Sequence, residues 1–234
     1  MTGKLFADDA YLKEATGTVI AHTEQGGIVL DQSLFYPTGG GQSGDRGTLG
    51  DIEIATTVKG EEGAIVLVPA EGSVLPAIGS TLPQRLDWEN RHRMMRLHTG
   101  LHLLSVVVPL PVTGGQIRAE KARLDFAMPE PLADKQAVED ALNDLIAADL
   151  PVTEQWISEA ELDAKPELVK TMSVQPPRGA GRIRLVRIGG DEQTDLQPCG
   201  GTHVRSTGEI GPLRLGKVEK KGRINRRLNV FLAD

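Results

Sequence analysis

Apolar residues in the first third of the chain fall in short runs separated by turn residues, and no stretch keeps a helical spacing. Such runs predict strands at residues 18–22, 28–32, 51–58 and 64–69. Gly26 and Gly27 between the first two predict a β-hairpin turn. Because closure hides strand edges, the pattern favours a small β-barrel. Residues 71–84, rich in Gly, Ser and Pro, predict a connection that ends a first domain at residues 1–86.

Beyond this connection the spacing becomes typical of mixed helices and strands. Residues 87–108 predict a helix, which Asp87 or Asn90 can cap and Pro109 ends. Its expected inward stripe is Met94, Leu97, Leu101, Leu104 and Val108. The other predicted elements are a helix at 133–150 and strands at 121–126, 151–158 and 181–190. We therefore expect an α+β second domain at residues 87–234.

Three local signals add detail to this second domain. Ser158 stands three residues before Glu161, the spacing of a capping box, so a short helix is expected to start there. The tail predicts two strands joined by a basic turn at residues 220–223. The helix at 133–150 is expected to face inward through Ala137, Ala141, Leu145 and Ala148.

Composition is that of an ordinary globular chain, since 39% of the 234 residues are hydrophobic and 25% are charged. Aromatic residues make up only 3%, so the core must consist mainly of Leu, Val, Ile and Ala. The nearly apolar run at 103–112 is too short and too broken to span a bilayer. The N-terminus shows no apolar secretory segment, and the single cysteine, Cys199, excludes an intrachain disulfide. These features predict a cytoplasmic protein without membrane contact.

Charge is distributed unevenly along the chain. The net charge is −6, but residues 178–234 carry +6 and residues 1–177 carry −12. The basic C-terminal quarter could face a polyanion. It could equally pair with the protein's own acidic residues, and charge alone does not separate the two.

Two histidines four residues apart, in RLHTGLHLL, form a first candidate for metal chemistry. On a helix, His98 and His102 lie on one face, one turn apart, and can share a metal ion. A pair of this kind also occurs without any metal. His22 and His92 lack such partners, and we expect both to be ordinary surface or core residues.

The segment PCGGTHV supplies a second pair, Cys199 and His203. The glycines between them predict a tight loop in which thiolate and imidazole converge, with the backbone N–H groups of Gly200, Gly201 and Thr202 exposed. Two such pairs form a tetrahedral N/S set, for which Zn²⁺ is the natural ion. A closed set of four ligands favours a structural ion, whereas a weakly held fourth ligand would permit catalysis, and both alternatives stay open.

The glycine-rich segment FYPTGGGQSGDRG is the third unusual feature. It lacks the ending of a P-loop and the context of a dinucleotide fingerprint. It predicts either a long hairpin turn or a loop that Phe35 and Tyr36 aim at the second domain.

In combination and order, FYPTGGGQSGDRG, RLHTGLHLL, VTGGQIRAEKARLDF and CGGTHVRSTGEIGPLR resemble the alanyl-tRNA editing proteins of the AlaX type. That family is related to the editing domain of alanyl-tRNA synthetase. The resemblance covers the chain from about residue 15 to its end. The presence of both domains resembles the medium-length form of the family.

The resemblance implies a hydrolase that, without ATP, clears tRNA(Ala) mischarged with serine, or with glycine. It implies a zinc site at His98, His102, Cys199 and His203, in an editing domain of the threonyl/alanyl-tRNA synthetase type. The glycine-rich motif carries over to Gly39, Gly40, Gly41 and Gln42, and a polar stretch to Thr113, Gly114, Gly115 and Gln116. The candidate substrate contacts are therefore Gly40, Gly41, Gln42, Thr113 and Gln116.

Several roles follow from the residues beside this resemblance. The loop amides could stabilise an oxyanion, and Asp195 or Asp125 could orient a zinc-bound imidazole; the alternative for each is an ordinary loop or strand acid. The candidate tRNA contacts are Arg182, Arg184, Arg187, Lys220, Lys221 and Arg223. A monomer is expected. The alternatives are a non-catalytic tRNA-binding module with a structural zinc, and a zinc hydrolase of small esters or amides.

Overall fold

The computed structural model describes residues 2–171 and 181–233. The chain divides into two compact units, Met1–His92 and Arg93–Asp234. The division falls inside the helix that follows the first set of strands. Across the described ranges, no helix has both the length and the hydrophobicity needed to cross a membrane.

The first unit consists mainly of short strands. Its elements are β1 (Gly3–Lys4), α1 (Leu5–Asp8), β2 (Glu14–His22), β3 (Ile28–Leu30), β4 (Gln32–Ser33), β5 (Gly47–Leu49), β6 (Ile52–Lys59), β7 (Ile65–Pro69) and β8 (Thr81–Leu86). Six of them close a barrel in the order β2-β3-β7-β6-β5-β8. Its core is aliphatic apart from a few aromatic side chains and includes Ile28, Leu30, Phe35, Leu49 and Leu67. The predicted barrel and its first hairpin are confirmed.

One strand of the barrel contradicts the sequence prediction. Residues 71–84 were expected to be a connection, but β8 begins at Thr81 and pairs with both β2 and β5. Pro83 within it cannot donate a hydrogen bond, which made the segment resemble a loop. Its carbonyl still accepts from the Gly50 N–H at 2.7 Å, so the pairing survives. This strand is what closes the barrel.

The glycine-rich segment is anchored inside the first unit by a buried ion pair. The Arg91 guanidinium binds the Asp45 carboxylate, and both side chains are fully buried. Asp45 also accepts from the Tyr36 N–H, while Arg91 donates to the carbonyls of Ala10 and Leu34. The pair therefore ties the end of the segment to the first turns of the following helix.

The second unit mixes helices with two antiparallel sheets. Its elements, counting the helix that begins in the first unit, are α2 (Trp88–Val107), β9 (Val112–Ile117), β10 (Ala122–Ala127), α3 (Lys135–Ala147), β11 (Val152–Ser158), α4 (Glu159–Asp163), β12 (Arg182–Ile188), β13 (Asp195–Pro198), β14 (Leu213–Leu215), β15 (Glu219–Lys220) and β16 (Asn225–Leu232). One sheet has the order β14-β16-β10-β9, with β15 paired to β16, and the other has the order β11-β12-β13.

Helix α2 confirms its predicted pattern. The Oδ1 atom of Asp87 accepts from the Asn90 N–H at 3.1 Å and so caps the start. The expected inward stripe is buried throughout: Met94, Leu97, Leu101, Leu104 and Val108. Met95 and Leu103 are buried as well, so the helix has apolar contacts on several sides.

Helix α3 exists as predicted, but of the four residues expected to face inward only Ala141 and Leu145 are partly buried. Leu142 and Ile146 are buried, whereas Ala137 and Ala148 are exposed. Larger aliphatic side chains bury more apolar area than alanine does, and they set the rotation of the helix. The capping box of α4 at Ser158 and Glu161 is confirmed. The basic turn at 220–223 joins β15 to β16.

Candidate metal centre

Helix α2 presents His98 and His102 on one face. Their ring centroids are 5.5 Å apart, as expected one turn apart. Gly100 between them lies against β14, because a Cβ atom there would meet the Leu213 Cδ1 atom at 2.6 Å. The absence of a side chain at this position thus allows the helix to approach the sheet closely.

The loop after β13 brings Cys199 and His203 to the same place. The Cys199 Sγ atom lies 3.4 Å from the His98 Nε2 atom and 3.2 Å from the His203 Nε2 atom. The ligand atoms of His98, His102, Cys199 and His203 all lie within 4.8 Å of one another, and the three histidines are buried. This cluster could hold a metal ion.

Two hydrogen bonds fix which nitrogen of each ring faces the cluster. The Thr99 hydroxyl donates to the Met95 carbonyl at 3.0 Å, so its oxygen accepts from His203 Nδ1 at 3.1 Å. The Asp195 carboxylate accepts from His102 Nδ1 at 3.0 Å. In both rings Nε2 is therefore the nitrogen that faces the cluster. Contacts of this kind orient the imidazole ligands of metal sites.

Asp195 is itself held by other polar groups. It accepts from the Lys170 ammonium at 2.6 Å and from the Gln197 amide at 2.8 Å. Burial would raise the pKa of Asp195, but hydrogen bonds from His102 and Lys170 outweigh it and lower that pKa. The carboxylate is therefore anionic at neutral pH and can accept a hydrogen bond from His102 Nδ1–H.

The side chains of the cluster also shift one another's pKa values. Burial would raise the pKa of the Cys199 thiol, but His98 and His203 beside it hold that pKa well below its ordinary value. Burial and the neighbouring His98 lower the pKa of His203 to about 3. Burial alone would lower the pKa of His102, yet Asp195 and Cys199 raise it to about 9. Metal binds a thiolate and a neutral imidazole, so His203 is already in its binding state at neutral pH, whereas His102 must release a proton when metal binds.

Arg184 holds the loop that carries Cys199. Its guanidinium donates to the carbonyls of Cys199 and Gly201 at 2.9 and 2.8 Å. In a trans peptide the N–H points opposite to the carbonyl of the same plane, and the described backbone contains no cis bond. The N–H groups of Gly200 and Thr202 therefore point away from Arg184. Gly200 is exposed, while Gly201 and Thr202 are buried.

The candidate substrate contacts lie in both units. In the first unit, Gly40 and Gly41 form a tight turn with φ of 57° and 86°, closed by two hydrogen bonds between Gly39 and Gln42. In the second unit, Thr113 and Gln116 lie on β9, a strand that the sequence did not predict. The Thr113 hydroxyl donates to the Asp125 carbonyl, and the Gln116 Oε1 atom accepts from Arg123 at 3.4 Å.

The candidate tRNA contacts are placed differently from one another. Lys220, Lys221 and Arg223 are exposed at the turn between β15 and β16, and Arg182 is exposed at the start of β12. The side chain of Arg184 is only 10% exposed and also pairs with Glu154. Arg187 donates to the carbonyls of Gly189 and Gly190.

Sequence reasoning missed part of this site. It weighed Asp195 and Asp125 together, but Asp125 pairs with Arg123 and Arg227, and Asp195 contacts a cluster histidine. The contacts of Thr99 depend on chain segments about a hundred residues apart, and no local pattern predicts them. The one sequence signal for Thr99 was its position directly after His98 in RLHTGLHLL.

Comparison with known proteins defines the class of this chain. Residues 183–229 match the family model described as "Threonyl and Alanyl tRNA synthetase second additional domain". The chain is 34% identical to the alanyl-tRNA editing protein AlaX-M of Pyrococcus horikoshii, with 99% of this chain and 98% of that protein covered. It is 32% identical to AlaX-M of Methanosarcina mazei, with 100% of this chain and 98% of that protein covered.

The chain also matches part of a longer protein. The chain is 35% identical to the alanine–tRNA ligase of Pyrobaculum neutrophilum over 94% of its own length, which is 25% of that enzyme. These relatives place the chain in the class of alanyl-tRNA editing proteins. The chain belongs to the AlaX-M family of alanyl-tRNA editing proteins.

Proposed function

We propose that this protein is a zinc-dependent trans-editing hydrolase, which deacylates tRNA(Ala) carrying serine, with glycine as a second candidate. Residues 1–86 form its barrel domain and residues 87–234 its editing domain. The observation that carries the proposal is the convergence of His98, His102, Cys199 and His203 in a chain of this family. It acts as a cytoplasmic monomer.

The donor set fits zinc. Ligands of a tetrahedral zinc site with nitrogen and sulfur donors stand about 3.3–3.7 Å apart. The separations of Cys199 Sγ from His98 Nε2 and His203 Nε2, 3.4 and 3.2 Å, are close to this range. One thiolate and three imidazoles favour zinc over the harder cations that prefer oxygen. When bound, zinc would supply Lewis acidity at the ester.

The loop after β13 provides the groups for the developing negative charge. Ester hydrolysis places an oxyanion on the former carbonyl oxygen, and preorganised N–H donors stabilise it. Arg184 fixes the peptide planes of Gly200 and Thr202 so that both N–H groups face away from it. The N–H of Gly200, which is exposed, is the first candidate donor to the oxyanion, and the N–H groups of Gly201 and Thr202 stay candidates from the sequence.

Substrate choice would depend on hydrogen bonding to the serine hydroxyl. A site built to bind that hydroxyl rejects alanine, because a buried polar group would be left unpaired. Thr113, Gln116 and Thr202 are the candidate partners. Gly40, Gly41 and Gln42 stay candidate substrate contacts on the strength of the family motif.

The exposed cations support a role in tRNA binding. Lys220, Lys221 and Arg223 share one turn, and Arg182 lies on β12. Contacts of these side chains with phosphates would make tRNA binding weaken as salt increases. Arg184 and Arg187, which bind backbone carbonyls, are better suited to hold their own loops.

A second candidate function is a non-catalytic tRNA-binding module with a structural zinc. It is favoured by the number of ligands, since four protein ligands can close a tetrahedral site. Catalytic turnover separates the two proposals, because a tRNA-binding module with a structural zinc does not hydrolyse the ester.

The test is deacylation of purified Ser-tRNA(Ala), Gly-tRNA(Ala) and Ala-tRNA(Ala), with metal content measured on the same preparation. We expect rapid loss of the serine ester and sparing of the alanine ester. A zinc-replete sample that binds tRNA but hydrolyses none of the esters would leave the binding module as the function.

A further inference from the structure

An exposed tryptophan stands on the sheet that carries the metal loop. Trp156 is one of the two tryptophans of the chain. It lies on β11 and is 48% exposed. The Arg182 guanidinium lies 5.5 Å from the centre of its ring. A large aromatic side chain held beside an exposed cation is a typical base-stacking surface of RNA-binding proteins.

Trp156 does not belong to the core of its sheet. The opposite face of β11 and β12 carries Ile157, Ile183 and Leu185, which pack against Leu162 of α4. Side chains alternate between faces along a strand, so Trp156 points away from this cluster. The sheet therefore does not need Trp156 to complete this hydrophobic cluster.

The tryptophan is in register with the metal loop. Trp156 lies directly opposite Arg184, and the Cys199 N–H donates to the Arg184 carbonyl at 3.1 Å. The row Trp156, Arg184 and Cys199 crosses adjacent strands, which places Trp156 about 10 Å from Cys199 between Cα atoms. The surface is thus continuous with the candidate metal centre.

Charge on this face suits an anionic partner. Glu154 is the acidic side chain on the same face of β11, and it pairs with Arg184 at 2.5 Å. Arg182 is exposed at the other side of the tryptophan. A phosphate next to Trp156 would therefore meet the Arg182 cation, while the Glu154 charge is compensated.

We propose that Trp156 and Arg182 bind the unpaired 3′ end of the tRNA, with Trp156 stacking on a base and Arg182 contacting an adjacent phosphate. This inference rests on the proposed function, because it takes tRNA as the substrate. A scissile ester at the metal centre places the last unpaired nucleotides within reach of a platform about 10 Å away. Stacking tolerates any base, so the platform adds affinity and position without adding sequence choice.

Fluorescence of the full chain with Trp88→Phe reports on Trp156 alone. We expect uncharged tRNA(Ala) to quench it, and the same tRNA lacking its unpaired 3′ end to quench it much less. In deacylation of Ser-tRNA(Ala), Trp156→Ala should raise KM by about tenfold with little change in kcat. Trp156→Phe should keep most of the affinity, and Ile78→Ala, an exposed apolar control in the first unit, should change nothing.

Absence of quenching, or equal quenching by the truncated tRNA, would overturn the inference. So would an unchanged KM in Trp156→Ala, and a change of oligomeric state in that variant would instead assign the tryptophan to a contact between copies. Failure of the unaltered protein to deacylate Ser-tRNA(Ala) would contradict the proposed function. The quenching experiment uses uncharged tRNA, so it still decides whether Trp156 binds the 3′ end.

Discussion

Two side chains outside the ligand set orient the imidazoles of the candidate metal centre. Thr99 accepts from His203, and Asp195 accepts from His102. Each contact holds the Nδ1 atom of its ring, so that the Nε2 atom is already directed at the cluster. Lys170 and Gln197 in turn hold Asp195, which limits its alternative positions.

Asp195→Asn is expected to weaken zinc affinity by about 10- to 100-fold, because the neutral amide stabilises the His102 Nδ1–H less than the carboxylate does. Competition with a chromophoric chelator measures this affinity. Asp125→Asn is the matched control, since that carboxylate pairs with Arg123 and Arg227 on the other sheet. Equal zinc affinity in Asp195→Asn and the unaltered protein would show that Asp195 does not support metal binding through His102.

The proposed ligands could be predicted from sequence because each pair is local. Four-residue spacing on a helix or across a glycine loop brings two side chains together without any knowledge of the fold. The contacts of Thr99 and Arg184 could not be predicted in this way, because the fold must first bring the loop after β13 onto α2 and β12. Arg184 was expected to bind tRNA from its charge alone.

The strands and helices depend on a mixture of local and distant signals. The helix α2 was predictable from its repeating apolar positions and its cap. Strand β8 was not, since Pro83 and the preceding Gly and Ser residues resemble a loop until β2 and β5 supply partners. The ion pair of Asp45 with Arg91 has no local signal either, although it anchors the glycine-rich segment.

Asp45→Asn should destabilise the protein by about 3–5 kcal/mol, because it leaves the buried Arg91 guanidinium without its compensating charge. Urea unfolding of the full chain measures the loss. The adjacent pair of Arg46 and Asp87 is exposed, so Arg46→Gln should cost less than about 1 kcal/mol. A similar small loss for both variants would show that the buried pair does not anchor the segment.

The whole molecule combines an acidic barrel-bearing portion with a basic C-terminal quarter. Net charges of −12 and +6 were visible in the sequence, but their meaning was not. Some of the basic residues hold backbone carbonyls, as Arg184 and Arg187 do, and others are exposed, as Lys220 and Arg223 are. The exposed cations therefore stay the candidates for tRNA contacts, whereas Arg184 and Arg187 hold their own backbone.

In the proposed function, deacylation depends on metal held by the cluster of His98, His102, Cys199 and His203. The most direct measurement is zinc content and Ser-tRNA(Ala) deacylation on the same preparations of the unaltered protein, His98→Ala and the control His22→Ala, whose histidine lies on the barrel strand β2. We predict that His98→Ala loses zinc and activity together, while His22→Ala keeps both. A metal-free His98→Ala that deacylates at the normal rate would show that hydrolysis does not depend on this metal.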